Sequence, residues 1–477
     1  MRKICAILLI FYCVLGGCMI YLFYIECFGG NRKMVKKIIV AGGGHGGIAA
    51  AALLAANGFD VTVYEKNKKD KMGYDWTDIF APGALERVGL SLPDEDKFEY
   101  KKNMTFYGPS ANTPLRQDVA EDNLEIKMER RDIYEMLIDH ALDKGVHFVY
   151  DCEIYGPIMS GNRVVGIQTE KGDFYAPLII DACGIDSPVR RRLPAACGIE
   201  KAPGKFGKFI VYRAFFDKTE EIDDDPYRVY FFPAGRKGIG WVATEEDTTD
   251  LLIGCFDELT DEDIEAVSAE LRAKNPQMGK KILRGDEIVK IPVRQPLAVM
   301  VADGYAAIGD SAFMTVPVIG SGIANSLKAA RMLADTVIED EDRVYSCETL
   351  WKYQTRYYKA LGAGLAPLAC VKLLLTKLTP EQLDYLIDNH VLTADDLTIG
   401  ADATGLGDFL SMSPASLPDR LKGLAKRPDI IKKLLTCGKT LVQVVTHTAA
   451  LPPYWERRKI FAWAANYCRI FRDYCQK

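Results

Sequence analysis

No two cysteines in this 477-residue chain are spaced C-x-x-C, although there are 13 of them. Cys5, Cys13, Cys18 and Cys27 fall in the first 28 residues, and the other nine are scattered singly. That spacing argues against a zinc site, an iron-sulfur cluster or a disulfide scaffold, and it suits a reducing compartment. An excess of one charge is also missing. Sixty Lys and Arg against 65 Asp and Glu leave a net charge of −5, so no basic field invites nucleic acid. What the chain has is ordinary core material, 48% hydrophobic and 26% charged, with length enough for two or three domains or one large discontinuous one.

The first 33 residues stand apart. Ile4 to Phe28 carries Glu26 as its only charge and is long enough to span a bilayer as a helix. Arg2 and Lys3 precede it, and Arg32, Lys33, Lys36 and Lys37 follow it, so an anchor here leaves the main body in the cytoplasm, attached to that face of the membrane. The alternative is initiation at Met34. Gly29-Gly30 is encoded by GGNGG, roughly ten nucleotides before the Met34 codon, which resembles a bacterial ribosome-binding site.

From Lys37 to Ala41 the chain reads as a buried strand, Gly42, Gly44 and Gly47 form G-x-G-x-x-G, and Ile48 to Asn57 is an alanine-rich helix. Strand, glycine turn and helix in that order make a dinucleotide-binding unit. The first glycine permits the tight turn, the second lets a pyrophosphate approach the backbone, and the third lets helix and strand pack closely. Gly58 ends the helix and Val61 to Tyr64 form a second strand. Glu65 closes that strand about 20 residues after the glycines, where a carboxylate binds ribose hydroxyls. His45 reads as a tolerated variable position of the loop.

Three later stretches say which dinucleotide. In residues 176 to 193, APLIIDACGIDSPVRRRL, an apolar strand from Leu178 to Ile180 delivers Asp181, followed by Ala182-Cys183-Gly184, Ser187, Val189 and Arg190. In residues 304 to 337 a strand ends at Gly309-Asp310, a loop carries Pro317 and Gly320-Ser321-Gly322, and a long helix starts near Ile323. Residues 127 to 142, KMERRDIYEMLIDHAL, set Arg130 and Arg131 at the head of an amphipathic helix. Together these stretches resemble flavoproteins of the para-hydroxybenzoate-hydroxylase type, and the D-A-C-G form of the first resembles the geranylgeranyl reductases. The resemblance covers about residues 35 to 345.

That resemblance implies FAD bound by Gly42, Gly44, Gly47, Glu65, Asp181, Gly184, Gly309, Asp310, Pro317, Gly320 and Gly322. It also implies an arginine on the cofactor, Arg131 in preference to Arg130. Asp310 would bind the ribityl chain. The Gly320 to Gly322 turn and the helix behind it would lie beside the flavin pyrimidine, where free N–H groups stabilise negative charge on the reduced ring. The implied fold is mixed α/β (α+β overall). A Rossmann-type FAD-binding domain (35–97, 126–203 and 286–345) is interrupted by an antiparallel-sheet substrate domain (98–125 and 204–285) and followed by a helical C-terminal region (346–477).

Strand-like runs at Phe209 to Phe216, Arg228 to Phe232, Gly238 to Thr244 and Leu251 to Phe256 suggest a meander. Within it VYFFPAGRKGIGW, residues 229 to 241, resembles the aromatic-aromatic-Pro segment that lines the substrate cavity of geranylgeranyl reductases. Tyr230, Phe232, Pro233 and Trp241 are its candidate substrate residues, against the alternative of a packed sheet core. Helical patterning after residue 346 is broken by Pro367, Pro380, Pro414, Pro418, Pro428 and Pro452-Pro453. The aromatic and arginine-rich segment 452 to 475 reads first as a helix packed on the body, then as a cavity cap, then as a membrane-surface helix.

A second G-x-G-x-x-G unit and a redox dithiol are absent, so NAD(P)H or a small electron carrier is the expected donor to FAD without a dedicated domain to hold it. Three readings remain: a reductase saturating carbon–carbon double bonds of an isoprenoid or other apolar substrate, a monooxygenase hydroxylating an aromatic ring, and a flavin-binding protein without turnover. The D-A-C-G motif and the aromatic-Pro strand favour the first. After Glu65 the cysteine-containing segment expected of many geranylgeranyl reductases is replaced by a stretch holding Tyr74, Asp75, Trp76 and Asp78. These side chains either reach the flavin or cap the next helix. No catalytic acid and no metal ligand is assigned.

Overall fold

The residues Ile38 to Ala41 have no exposed side chain, because their strand, Lys37–Ala41, lies inside a six-stranded sheet. From one edge its order is Val301–Ala302, Tyr305–Ala307, Leu178–Asp181, Lys37–Ala41, Asp60–Tyr64 and His147–Val149. All neighbours are parallel except the first pair. Strands buried on both faces read as continuous branched apolar runs, as Ile-Ile-Val and Leu-Ile-Ile do here. The computed structural model describes residues 36–119, 124–204, 206–221, 225–397 and 417–476. The apolar stretch 4–28 lies outside these. Residues 37 to 477 form one compact unit.

The helix after the first strand starts at His45 and ends at Ala56, earlier than expected, because Gly44 is its N-cap and Gly46 and Gly47 already take helical geometry. It packs against Arg130–Asp143 and Ile323–Ile338. Gly42 has φ +87, and a Cβ there would lie 2.7 to 2.8 Å from the Ala182 and Cys183 backbone. At Gly47 a Cβ would meet the Ala182 side chain at 2.5 Å. Only glycine lets the turn and the helix close on the strand Leu178–Asp181.

A seven-stranded sheet has the order Met278–Pro292, Lys208–Lys218, Thr248–Cys255, Gly238–Thr244, Tyr227–Phe231, Thr105–Tyr107 and Leu115–Arg116. Three of the four expected runs form the meander, but Lys208–Lys218 pairs with Thr248–Cys255 in place of Tyr227–Phe231, and Met278–Pro292, Thr105–Tyr107 and Leu115–Arg116 extend the two edges. Side chains alternate between its faces. Tyr212, Ala214, Phe216, Tyr230 and Val242 pack with Val267 and Leu271 of the helix Asp261–Lys274. Val211, Arg213, Val229, Phe231 and Trp241 point the other way, into a cavity.

The C-terminal region contains the helices Cys347–Tyr357, Ala363–Lys377, Pro380–Asp388, Leu417–Leu424, Pro428–Ala449 and Arg457–Gln476. Contrary to expectation, Pro367 lies inside a helix. The wide turn Tyr358–Gly362 just ahead of it loosens the ladder where the proline cannot donate. The run Cys347–Lys377 is long and apolar enough to cross a membrane, but most of it is buried, with Trp351, Tyr353, Tyr357 and Tyr358 in the main core.

Candidate functional site

Parallel register brings four strand ends level. Ala41 pairs with both Tyr64 and Asp181, and Asp181 pairs with Ala307. The next residues, Gly42, Glu65, Ala182 and Ile308, therefore meet at the carboxyl edge of the sheet, where open α/β sheets bind ligands. All four line a cavity of about 1,140 Å³.

At this edge the site is built for an acidic dinucleotide. The helix His45–Ala56 has neither a side-chain cap nor an acidic residue in its first turn, so the N–H groups facing the cavity suit a ligand anion. The Glu65 carboxylate is fixed by the Gly43 N–H on Oε2 (2.7 Å) and the Asn67 N–H on Oε1 (2.8 Å). Each oxygen keeps a lone pair for a ribose hydroxyl. Across the cavity stand Gly184, Gly309, Asp310, Pro317, Gly320 and Gly322, and Gly322 begins the helix Ile323–Ile338 without a capping side chain. Burial pushes the Asp310 carboxyl up to about 6, against the opposing charges of Arg130 and Arg190. FAD fits these residues: glycine cradles that admit no Cβ, two uncapped helix ends and an anchored carboxylate.

Two of the expected cofactor residues lie elsewhere. Arg131 is exposed, while Arg130 lines the cavity and donates from Nε and Nη2 to the two Asp78 oxygens at 2.6 and 2.7 Å. The strand Thr77–Phe80 pairs with Ile126–Glu129, which brings Asp78 to the helix head. Successive helical residues point about 100° apart, so only one arginine can face inward. Asp181 is 0% exposed and is not part of the cavity wall. It accepts hydrogen bonds from the Cys183 N–H and Ser311 hydroxyl on Oδ1, and from the Ser187 and Tyr305 hydroxyls on Oδ2. Its place is beneath the loops that make the wall.

On the substrate side the alternation of the sheet overturns two more expectations. Tyr230 faces the helix Asp261–Lys274 and stacks on Tyr107. Pro233 turns to the same side, 3.4 Å from where a Gly240 Cβ would stand. Phe232 and Trp241 line the cavity, joined by Val229, Phe231 and Ile239. Tyr74, Trp76 and Asp78 also line it, whereas Asp75 points away and accepts from Arg284 at 3.0 Å. Arg213 crosses this wall. It pairs with Asp250, donates to Thr77 Oγ1 at 2.6 Å and lies 5.4 and 5.1 Å from the Trp76 and Trp241 ring centres.

Sequence reasoning missed the far end of the cavity. Leu374 and Leu375 of the helix Ala363–Lys377, Leu378 just past its end, Leu386 of the next helix, and Leu434 and Leu441 of Pro428–Ala449 wall it. The spacing of Ile430, Leu434, Cys437, Leu441 and Val444 was the available signal. The segment 452 to 475, which drew attention instead, packs on the body through Ile460, Trp463, Tyr467 and Phe471.

His45 lines the cavity and stacks on Tyr134 with ring centres 4.4 Å apart. Burial, together with the charge of Arg130, lowers its pKa to about 3, so the ring is neutral at physiological pH. Burial likewise pushes the Cys183 thiol well above the usual range, so it stays protonated.

The combination of a parallel dinucleotide sheet with an antiparallel sheet across the cavity is the fold of FAD-dependent reductases and hydroxylases, and residues 40–92 match the NAD(P)-binding Rossmann-like domain family. Within that class the chain is 22% identical over 400 residues to digeranylgeranylglycerophospholipid reductase of Sulfolobus acidocaldarius, covering 77% of this chain and 82% of that protein. Its structure is similar to that of a geranylgeranyl bacteriochlorophyll reductase-like protein of Thermoplasma acidophilum, with a TM-score of 0.67 at 20% identity, covering 84% and 98% of the two chains. It is less similar to a mutant of the halogenase PltM in complex with FAD, with a TM-score of 0.58 at 13% identity, covering 92% and 95%.

Two outcomes follow from the geometry. Replacing Asp181 by Asn leaves the side chain with fewer acceptor positions than its four donors require, and should lower stability in urea unfolding by about 3 kcal/mol. An unchanged midpoint would refute the organising role given to Asp181. Because His45 is neutral in the folded protein but titrates near 6.5 when unfolded, stability should fall as pH drops through 6.5 toward 3. His45→Gln should flatten that slope by up to about 1.4 kcal/mol per pH unit. Asp310 titrates within this window with the opposite sign, and comparing variant with parent removes its contribution.

Proposed function

We propose that the protein is an FAD-dependent oxidoreductase that reduces carbon–carbon double bonds of an isoprenoid or similarly apolar substrate. The observation that carries the proposal is the continuity of one cavity from the glycine loop at Gly42 to the leucine-walled end at Leu386 and Leu441. Similarity to reductases is also greater than similarity to the halogenase. The residues that would hold FAD are Gly42, Gly44, Gly47, Glu65, Arg130, Gly184, Gly309, Asp310, Pro317, Gly320 and Gly322.

Bound and reduced, FAD supplies the hydride for one alkene carbon while a proton reaches the other. The chain's own part is to orient and to exclude water. The turn from Gly320 to Gly322 and the helix behind it would offer N–H groups to negative charge on the cofactor. Phe231, Phe232 and Trp241 offer flat apolar surface to the cavity. The leucines of the C-terminal helices keep the remaining length of an apolar chain dry. NAD(P)H or a small electron carrier would reduce the cofactor.

The same helices support contact with a membrane. On Pro428–Ala449, Leu434 and Leu441 line the cavity, while Leu435 and Val442, 69% and 63% exposed, face outward beside the exposed Lys432 and Lys439. An apolar stripe with flanking lysines suits an anionic bilayer surface. The nine cysteines among the described residues are free thiols, which supports a cytoplasmic location.

With the flavin bleached anaerobically, an isoprenoid lipid extract should restore its absorbance without oxygen. Restoration only on aeration would favour hydroxylation instead. The chain begun at Met34 should float with phosphatidylglycerol vesicles, and the double variant Leu435→Glu with Val442→Glu should remain in solution. Equal flotation of both would remove this helix as the contact.

A further inference from the structure

The segment from Tyr74 to Ile79 touches both halves of the cavity. Ser321, the middle residue of the Gly320 to Gly322 turn, donates through its hydroxyl to the Ile79 carbonyl oxygen at 3.4 Å. Trp76 packs with Val211, Phe215 and Val289 of the antiparallel sheet. Tyr74 lines the cavity with neighbours on both sides. Its ring meets the Trp76 ring edge-on at 5.2 Å, the Arg130 guanidinium stands 4.9 Å from its centre, and the charge of Asp310 acts on its phenol.

The residues that follow Tyr74 are held firmly. Asp75 accepts from Arg284 and from the Gly285 N–H, and the Trp76 N–H donates to the Tyr74 carbonyl oxygen at 2.9 Å. The phenol is left uncommitted: Arg130, Asp310, Glu287 and Asp78 act on it through charge, and none of them hydrogen-bonds it.

Saturating a double bond takes a hydride and a proton, and the proton needs a donor within reach of the reacting carbon. Other polar groups at this junction are engaged or carry the wrong charge state. Asp78 is bonded twice by Arg130, and Arg213 is taken up by Asp250 and Thr77. The Thr315 hydroxyl donates to the Pro292 carbonyl oxygen and that of Ser321 to Ile79. His45 is neutral, and Asp310, titrating at about 6, is largely ionised at neutral pH. Burial raises the Tyr74 pKa, so the phenol keeps its proton at rest, while the charge of Arg130 acts in the opposite sense and would steady the phenolate once that proton has left.

We propose that Tyr74 is the catalytic acid of the reduction. Its O–H bond breaks as a C–H bond forms on the alkene carbon that does not receive the hydride. The two electrons arrive with the hydride from the reduced flavin, and water returns a proton to the phenolate. The proposal rests on the double-bond reading of the site.

The test follows the return of flavin absorbance in anaerobic single turnover, in the FAD-loaded full chain and its Tyr74→Phe variant, with a phospholipid carrying geranylgeranyl chains as the probe. The variant should restore absorbance about a hundredfold more slowly and lose the slowing that the parent shows in D2O. It should bind FAD as tightly as the parent and unfold at the same urea concentration. In the FAD-free chains, the difference in phenolate absorbance between parent and variant should show one phenol titrating above 10.0. Weaker FAD binding or a lowered urea midpoint would make Tyr74 a structural or cofactor-positioning residue and overturn the proposal, as would a phenol already ionised at pH 7. Equal rates in the two chains would overturn it and leave the double-bond reading intact. If the probe does not restore the parent's absorbance without oxygen, the double-bond reading fails and the proposal with it.

Discussion

The carboxylate of Asp181 holds the site together from below. Four donors from three segments converge on it: the N–H of Cys183 and the hydroxyl of Ser187 from its own loop, the hydroxyl of Tyr305 from the neighbouring strand, and that of Ser311 from the turn after it. Each is a bond to a group in a place closed to water, where the loss of a hydrogen bond is most costly. The loop from Ala182 to Gly184 and the turn at Gly309 and Asp310 supply two walls of the cavity, and both take their positions from this one side chain. Arg190 extends the arrangement by donating to the carbonyl oxygens of Ile185 and Ser311. Glu65 does for the glycine loop what Asp181 does for the opposite wall, with the difference that it also faces the cavity.

This division of labour explains which parts of the site could be read from the sequence. The glycine turn, the acidic strand end and the second glycine turn are local: each is specified by residues a few positions apart, and each stands where its spacing puts it. Arg130 against Arg131, and Asp181 as a support in place of a ligand, depend on pairings made across the fold. The register that sets Asp78 beside the helix head comes from strand Ile126–Glu129 meeting a strand nearly fifty residues earlier, and no local pattern carries that information. Tyr230 was misplaced for a simpler reason. Strand residues alternate with period two, and the phase is set by what each face must cover. With the helix Asp261–Lys274 on one face, the even-numbered Tyr230 and Val242 pack beneath it, while Val229, Phe231 and Trp241 are left to the cavity.

Arg213 shows what the cavity face of that sheet had to accommodate. An arginine in the middle of a buried strand is stable only with its charge met and its planes covered, and here Asp250 on the adjacent strand meets the charge while Trp76 and Trp241 flank the guanidinium. Its remaining N–H groups reach Thr77. One residue thereby ties the seven-stranded sheet to the segment from Tyr74 to Asp78, the segment that departs from the geranylgeranyl-reductase pattern. Arg130 and Asp78 close the same corner from the dinucleotide side. The departure is therefore concentrated where the seven-stranded sheet and the helix head at Arg130 are bonded to the same short strand.

The C-terminal helices complete a gradient along the cavity. At the sheet edge the wall is backbone N–H and carboxylate, at the middle it is aromatic, and at the far end it is leucine, with Lys372 and the Asp396-paired Arg420 as the basic groups among the C-terminal residues that line it. The helix Pro428–Ala449 sharpens the argument, because Leu434 and Leu441 close the cavity from the inside while Leu435 and Val442, each one residue further on, meet the outside.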